Sequence, residues 1–123
     1  MNAISILNQL KDAANRRHYP NVPDGARIPA KYSDKTTNGL TTCVTDFLRL
    51  KGNYVARVNT TGIIRKGKFT KGGGTVGAAD LNVIIGGRSV QIEIKAGRDV
   101  LSESQIKQGE KIKAAGGIYL VIK

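Results

Sequence analysis

The stretch Asp80-Leu81-Asn82-Val83-Ile84-Ile85-Gly86-Gly87-Arg88-Ser89-Val90-Gln91-Ile92-Glu93-Ile94-Lys95 decides how this chain is read. Leu81, Val83 and Ile85 alternate with Asn82 and Ile84. Beyond the two glycines, Val90, Ile92 and Ile94 alternate with Ser89, Gln91, Glu93 and Lys95. Two period-2 runs joined by Gly-Gly predict a β-hairpin closed by a two-residue primed turn. That turn fixes the register, with Ile85 opposite Arg88, Val83 opposite Val90, and Asp80 opposite Glu93. Opposed residues have Cβ atoms about 4.5–5.5 Å apart, and like charges placed there repel. Lys95, two residues past Glu93, points from the same face. Two carboxylates and an ammonium therefore converge at one edge of a hairpin whose other face is apolar. A divalent cation is the simplest relief for the carboxylate repulsion.

The composition frames that reading. The 123 residues suit one packed core, which aliphatic side chains must supply because there are two Phe, four Tyr and no Trp. Lys and Arg number 20 against 9 Asp and Glu, a formal charge of +11. A surplus of that size predicts a polyanionic partner, nucleic acid first, with anionic lipid or mere solubility as the plainer alternatives. The single Cys43 excludes an intramolecular disulfide and has no partner at zinc spacing, so it reads as a small buried hydrophobe. No apolar run reaches the ~18 residues of a membrane span. Asn8, Gln9, Lys11 and Asp12 interrupt any signal-peptide core, which predicts a cytosolic protein with no membrane partner.

Two segments are expected, an N-terminal helix and extended arm over residues 1–35 and the main domain over 36–123. Ile4, Leu7 and Leu10 predict a short amphipathic helix within residues 1–15, able to dock on the core or on a second copy of the chain. Pro20, Pro23 and Pro29 make residues 16–35 an arm without regular structure. His18, the only histidine, has no ligand-like neighbours and reads as a surface or phosphate-contacting residue. Leu40, Val44, Phe47 and Leu48 predict a helix from Asn38 to Lys51, stopped by Gly52. Residues 53–59 read as a strand, and Ile63-Ile64 as the start of another.

From Arg49 to Lys71 the chain carries Arg49, Lys51, Arg57, Arg65, Lys66, Lys68 and Lys71 with no acid. This run leads through a glycine loop directly to Asp80, a placement suited to tracking a phosphate backbone. Arg57, Arg65, Lys66, Lys68, Lys71 and Arg98 are the candidate nucleic-acid contacts. Gly72-x-Gly74-x-x-Gly77 has dinucleotide-fingerprint spacing, but it precedes a strand and lacks the P-loop Lys-Ser/Thr, so both nucleotide readings fail. A mobile loop, or close approach to a nucleic-acid backbone, suits these glycines better.

After Lys95, Ser102-Glu-Ser-Gln105 is a capping box opening a helix that runs to about Ala115. Ile118-Tyr-Leu-Val-Ile122 is a continuous apolar run, as expected for a strand buried on both faces. Strand, helix, strand implies a right-handed crossover, with the last strand parallel to the Glu93 strand. The predicted fold class is α/β, a mixed sheet with helices packed against it.

Mg²⁺ takes oxygen ligands, usually one or two carboxylates with waters and phosphate oxygens. Asp80 and Glu93 supply the carboxylates, and the Ile94 carbonyl is well placed as a third ligand. A metal held there can lower the pKa of a bound water and neutralise charge at a scissile phosphate. Lys95 can position that water, help to deprotonate it, or stabilise transition-state charge. Gln105 can orient the lysine or the water, or simply complete its capping box. Taken alone, the trio also fits a surface hairpin with an ordinary Glu–Lys pair.

Gly77-Ala-Ala-Asp80, Ile92-Glu93-Ile94-Lys95, Ser102-Glu-Ser-Gln105 and Gly116-Gly117-Ile-Tyr-Leu, in that order, resemble the PD-(D/E)XK nuclease superfamily and its VRR-NUC branch over about residues 36–122. The resemblance implies a restriction-endonuclease-like core and Mg²⁺- or Mn²⁺-dependent hydrolysis of DNA phosphodiesters. It also implies likeness to small phage-type stand-alone nucleases that act on structured or branched DNA, often as homodimers. Carried over by position, Asp80 and Glu93 would be metal ligands, Lys95 the catalytic lysine and Gln105 the supporting glutamine. One departure stands out. The family commonly has a Glu near the start of its first core helix, where this chain has Thr37, with Asp34 about one turn upstream. Either Asp34 substitutes, or the site has fewer acids and activity is weak or lost. The leading expectation is thus a metal-dependent DNA endonuclease, and the second an inactive DNA-binding module on the same fold. A structural or RNA-binding role is disfavoured, because no aromatic platform for single-stranded bases is evident.

Overall fold

The computed structural model describes residues 2–58, 63–65, 68–70 and 77–123, the two short middle segments by their backbone alone. Helix α1 spans Ala3–His18 and α2 spans Thr37–Leu50, with a single 3₁₀ turn, Asp24–Ala26, between them. Strands β1 (Tyr54–Arg57), β2 (Ile63–Arg65), β3 (Lys68–Thr70), β4 (Leu81–Ile85) and β5 (Arg88–Ile94) follow. Helix α3 (Glu103–Ala114) then leads to β6 (Ile118–Ile122). The main sheet runs β1-β4-β5-β6, antiparallel except for the parallel β5–β6 pair, while β2 and β3 form a separate hairpin. This is the mixed α/β architecture that the alternation implied.

The β4–β5 hairpin takes the expected register: Ile85 pairs with Arg88, Val83 with Val90 and Leu81 with Ile92. Gly86 and Gly87 have φ of 56° and 78°, the positive values that a type I′ turn demands at both central positions. One face of the sheet carries Val55, Leu81, Val83, Val90, Ile92 and Ile94, all buried, with Leu40, Val44 and Leu48 of α2 packed over them. Thr36 caps α2 by accepting from Gly39 N at 3.0 Å. Helix α3 lies on the opposite side of the sheet, over β6. Its capping box is formed as read, with Gln105 N donating to Ser102 Oγ at 3.3 Å and Ser102 N donating to Gln105 Oε1 at 2.8 Å.

The structure departs from the sequence expectations at α1, β6 and β1. Helix α1 continues through Arg16, Arg17 and His18, because basic residues suit the carbonyl end of a helix. The helix breaks at Tyr19, where the following proline disfavours helical backbone. The arm after it is irregular, yet tied down. Ala30 N donates to Asp12 Oδ1 at 2.8 Å, Tyr32 N to Asn8 Oδ1 at 2.9 Å, and Tyr32 OH to Asp46 Oδ2 at 2.6 Å. Helix α1 itself packs on α2 and buries Leu7.

Strand β6 departs from expectation in its place in the sheet. It lies at the sheet edge, with Leu120 44% and Val121 39% exposed, so it is not buried on both faces. A continuous apolar run of this length has no internal feature that separates a central strand from an edge. Strand β1 takes Tyr54–Arg57 of the expected 53–59, Val58 N still donating to the Asp80 carbonyl at 2.8 Å and residue 59 lying outside the described residues.

Leu81 is fully buried in the core and Ile84, on the opposite face of the same strand, is half exposed. Leu81→Ala is expected to lower the unfolding free energy by about 2–5 kcal/mol in urea titrations. Ile84→Ala is expected to change it by less than about 1 kcal/mol, since little transfer and no cavity is involved.

Candidate active site

Asp80 is the residue immediately before β4, and extending the Leu81–Ile92 pairing by one step sets it opposite Glu93. Its backbone carbonyl is held by Val58 N, and its carboxylate Oδ2 accepts from Ile94 N at 2.8 Å. The main chain of β5 thereby fixes the Asp80 side chain beside Glu93. Glu93 is only 3% exposed. Its Oε1 accepts from Gln105 Nε2 at 2.9 Å and lies 3.8 Å from Lys95 Nζ. Gln105 thus serves two ends at once: its oxygen closes the capping box and its amide nitrogen holds Glu93. The orienting role expected of it is directed at the carboxylate, not at Lys95.

Burial first, and then the charge of Asp80 and a shared-proton contact with it, push the Glu93 carboxyl up to about 7, while Lys95 pulls the other way. With both acids ionised neither can donate to the other, and Glu93 Oε2 is buried without a hydrogen-bond partner. A buried carboxylate oxygen in that state is costly and needs a proton or a cation.

Tyr119 has a second buried, unpartnered oxygen, its hydroxyl. Sequence reading passed over this residue. It pairs with Gln91 as Val121 pairs with Glu93, so it shares the sheet face of Glu93. Its ring lies on Gly109, where a Cβ would come within 2.9 Å of ring carbons. Gln105 and Gly109 stand one turn apart on α3, so adjacent positions of one helix face hold Glu93 and admit the Tyr119 ring. Burial raises the Tyr119 phenol pKa, and the charges of Glu93 and then Asp80 raise it further. The sequence signal was Gly109 itself. A mid-helix glycine costs about 1 kcal/mol relative to alanine, which demands a packing reason.

Gly77 locks the two halves of the site together. It has φ 78°, and a Cβ there would fall 2.4 Å from Ser104 O, so the approach to Asp80 lies flat against the first turn of α3.

The donor set fits a hard divalent ion: two carboxylates, one with a bare buried oxygen, and the Ile94 carbonyl between Glu93 and Lys95 in sequence. Among the described residues no group of three or more His, Cys, Asp or Glu converges. Asp34 therefore does not join the pair. It sits where its charge acts on Cys43, at the start of α2, and does not contribute to the surroundings of Glu93.

Of the basic candidates, Arg57 stands on the Leu81 face of the sheet, opposite to the face of Asp80 and Glu93. Arg57 ends β1 opposite Leu81 and donates to Asn38 Oδ1 at 2.8 Å. Arg98 is exposed between β5 and α3. Arg65 and Lys68 occupy paired positions of the β2–β3 hairpin. Lys66, Lys71, Gly72 and Gly74 lie outside the described residues. No helix among the described residues is long and apolar enough to cross a membrane. No protein-family model, curated protein or solved structure matches the chain.

The raised carboxyl has a pH consequence of definite sign. Glu93 moves from an ordinary 4.5 to about 7, so the native state holds its proton more tightly than the unfolded chain does. Its contribution to stability is complete below 4.5 and is lost as pH rises through about 7. Urea unfolding in EDTA is expected to show stability falling across that window. Glu93→Gln, which offers Asp80 a donor at every pH, is expected to flatten the fall and to be more stable than the parent at pH values above the window. An unchanged slope in the variant would assign it to another group.

Proposed function

We propose that the protein is a metal-dependent nuclease that hydrolyses DNA phosphodiester bonds, with structured or branched DNA as substrate. The observation that carries this reading is the buried, unpartnered Glu93 Oε2 opposite Asp80, with Lys95 at 3.8 Å from the other oxygen of the same carboxylate. The formal charge of +11 supports a polyanionic substrate. The succession α2, antiparallel β1-β4-β5, α3, parallel β6 supports a restriction-endonuclease-like core of the PD-(D/E)XK type, and with it the VRR-NUC resemblance.

Asp80, Glu93 and the Ile94 carbonyl would hold Mg²⁺ or Mn²⁺, which when bound supplies an acidified water and charge neutralisation at the phosphate. Asp80 is pre-oriented by Ile94 N, and Glu93 by Gln105, so neither carboxylate has to be ordered when substrate arrives. Lys95 is a cation beside the reacting position, 14% exposed, and can hold the attacking water or steady charge that develops on the phosphate. Arg98, with the basic β2–β3 segment, would contact flanking phosphates, whereas Arg57 is turned to Asn38 on the other face of the sheet. A homodimer, as the resemblance implies, would present two such centres.

One observation favours a second reading, a DNA-binding module on the same fold that does not cut. The site has two acids and no third among the described residues.

Duplex, flap and four-way-junction DNA incubated with Mg²⁺, Mn²⁺ or EDTA separates the two. Cleavage is expected only with metal, to vanish in Glu93→Ala, and to slow by ~10²–10⁴-fold in Lys95→Ala with DNA affinity retained. Salt-sensitive binding with no metal-dependent product would leave the second reading. Product in EDTA, or from Glu93→Ala, would remove Asp80 and Glu93 from the reaction.

A further inference from the structure

Among the described residues three buried side-chain oxygens have no hydrogen-bond partner: Thr45 Oγ1, Glu93 Oε2 and the Tyr119 hydroxyl. Thr45 belongs to α2, which packs on the Leu81 face of the sheet. The other two share the opposite face. In the parallel β5–β6 pair Gln91 faces Tyr119 and Glu93 faces Val121, so Tyr119 and Glu93 stand on adjoining strands, one same-face position apart. With strands about 4.8 Å apart and about 3.3 Å of rise per residue, their Cα atoms are roughly 8 Å apart, within the combined reach of two long side chains. The charges of Glu93 and Asp80 both act on the phenol.

Packing does not require the hydroxyl. The ring edge lies on Gly109, and a phenylalanine would cover that glycine equally well without burying an O–H. A buried tyrosine hydroxyl usually finds a hydrogen-bond partner, and leaving it unpaired is destabilising. Glu93 has the complementary need. Its Oε1 accepts from Gln105 Nε2 and lies near Lys95 Nζ, which leaves Oε2. A carboxylate oxygen has two acceptor positions, so Oε2 can face an ion shared with Asp80 and still accept one hydrogen bond. The hydroxyl and Oε2 are not bonded directly. A single enclosed water serves such a pair, since buried waters join polar groups that otherwise have no partner.

From this juxtaposition we infer that Tyr119 is a positioning residue of the metal site, its hydroxyl holding Glu93 Oε2 through one enclosed water as Gln105 holds Oε1. Glu93 is then gripped at both oxygens, and its ionised form gains a donor that burial otherwise withholds. Hydrogen-bond partners behind a ligating carboxylate are worth about 10–100-fold in metal affinity. This inference rests on the metal centre of the nuclease reading and on no step of cleavage.

The test uses the full chain without DNA. Mn²⁺ binding is followed by electron paramagnetic resonance of the free ion, for the parent, Tyr119→Phe, Gly109→Ala and the double variant. Tyr119→Phe is expected to weaken Mn²⁺ binding about tenfold while retaining a cooperative urea transition in EDTA. Gly109→Ala displaces the ring but keeps the hydroxyl, and is expected to weaken binding too. The double variant is expected to bind no more weakly than Tyr119→Phe, because both changes break one contact. Mg²⁺ is expected to perturb the near-ultraviolet tyrosine spectrum of the parent and of Tyr54→Phe, and not that of Tyr119→Phe. Should Tyr119→Phe fail to fold, Gly109→Ala and the parent's spectrum decide the matter. Mn²⁺ affinity within about twofold of the parent in Tyr119→Phe, or a tyrosine perturbation that persists in it, would overturn the inference. A parent that binds no Mn²⁺ removes it together with the metal centre. Parental Mn²⁺ affinity in Tyr119→Phe, with metal-dependent cleavage by the parent, sinks this inference alone. Weakened Mn²⁺ binding in the variant, with no DNA product from the parent, sinks the nuclease reading alone.

Discussion

Two carboxylates held opposite one another on neighbouring strands impose the constraint to which the rest of this molecule answers. Unrelieved, such a pair destabilises a hairpin, and here one of the two is almost fully buried. The fold meets part of the cost with Ile94 N on Asp80 and with Gln105 and Lys95 on Glu93. It leaves Glu93 Oε2 bare. The register that creates the opposition comes from Gly86 and Gly87, whose positive φ values close the turn in two residues. A slip of one residue would send every side chain of one strand to the other face, so the core and the site are specified by the same turn.

The first two turns of α3 hold the assembly from the far side. Ser104 receives the backbone of Gly77, Gln105 receives Glu93, and Gly109 opens the space that the Tyr119 ring fills. Three elements distant in sequence thus meet one helix start, and the capping box that defines that start also supplies the contact to Glu93. Stability and site geometry are coupled here, because fraying of this helix end would release Asp80, Glu93 and Tyr119 together.

What the sequence made legible was whatever depends on local period and turn chemistry. Alternation across residues 81–94 gave the strands, Gly-Gly gave the register, and Ser102 to Gln105 gave the helix start with its first-turn glutamine. The parallel return of β6 followed from crossover handedness. What stayed hidden depends on lateral neighbours. Tyr119 lies in a run where every residue is apolar, so its period shows neither which face the ring takes nor that an atom of Glu93 shares it. The edge position of β6 is hidden for the same reason. The docking of the arm rests on Asn8 and Asp12 reaching backbone groups some 18 to 24 residues away, contacts that no window of sequence contains. Asp34 illustrates the converse. Proximity in sequence to the expected position of an acid does not bring it to the site: its charge acts on Cys43 and not on Glu93.

The charge balance at the centre sets the order in which ligands can arrive. The chain as a whole is strongly basic, yet Asp80, Glu93 and Lys95 together carry a net negative charge once Glu93 ionises, near neutral pH. On the proposed reading, a phosphodiester would be drawn to the protein by its overall positive charge and repelled by this one spot. A proton on Glu93 removes the repulsion but also removes the ligand; a divalent cation removes it and keeps both carboxylates engaged. On the proposed reading, then, metal is needed before chemistry, for the scissile phosphate to sit down at all.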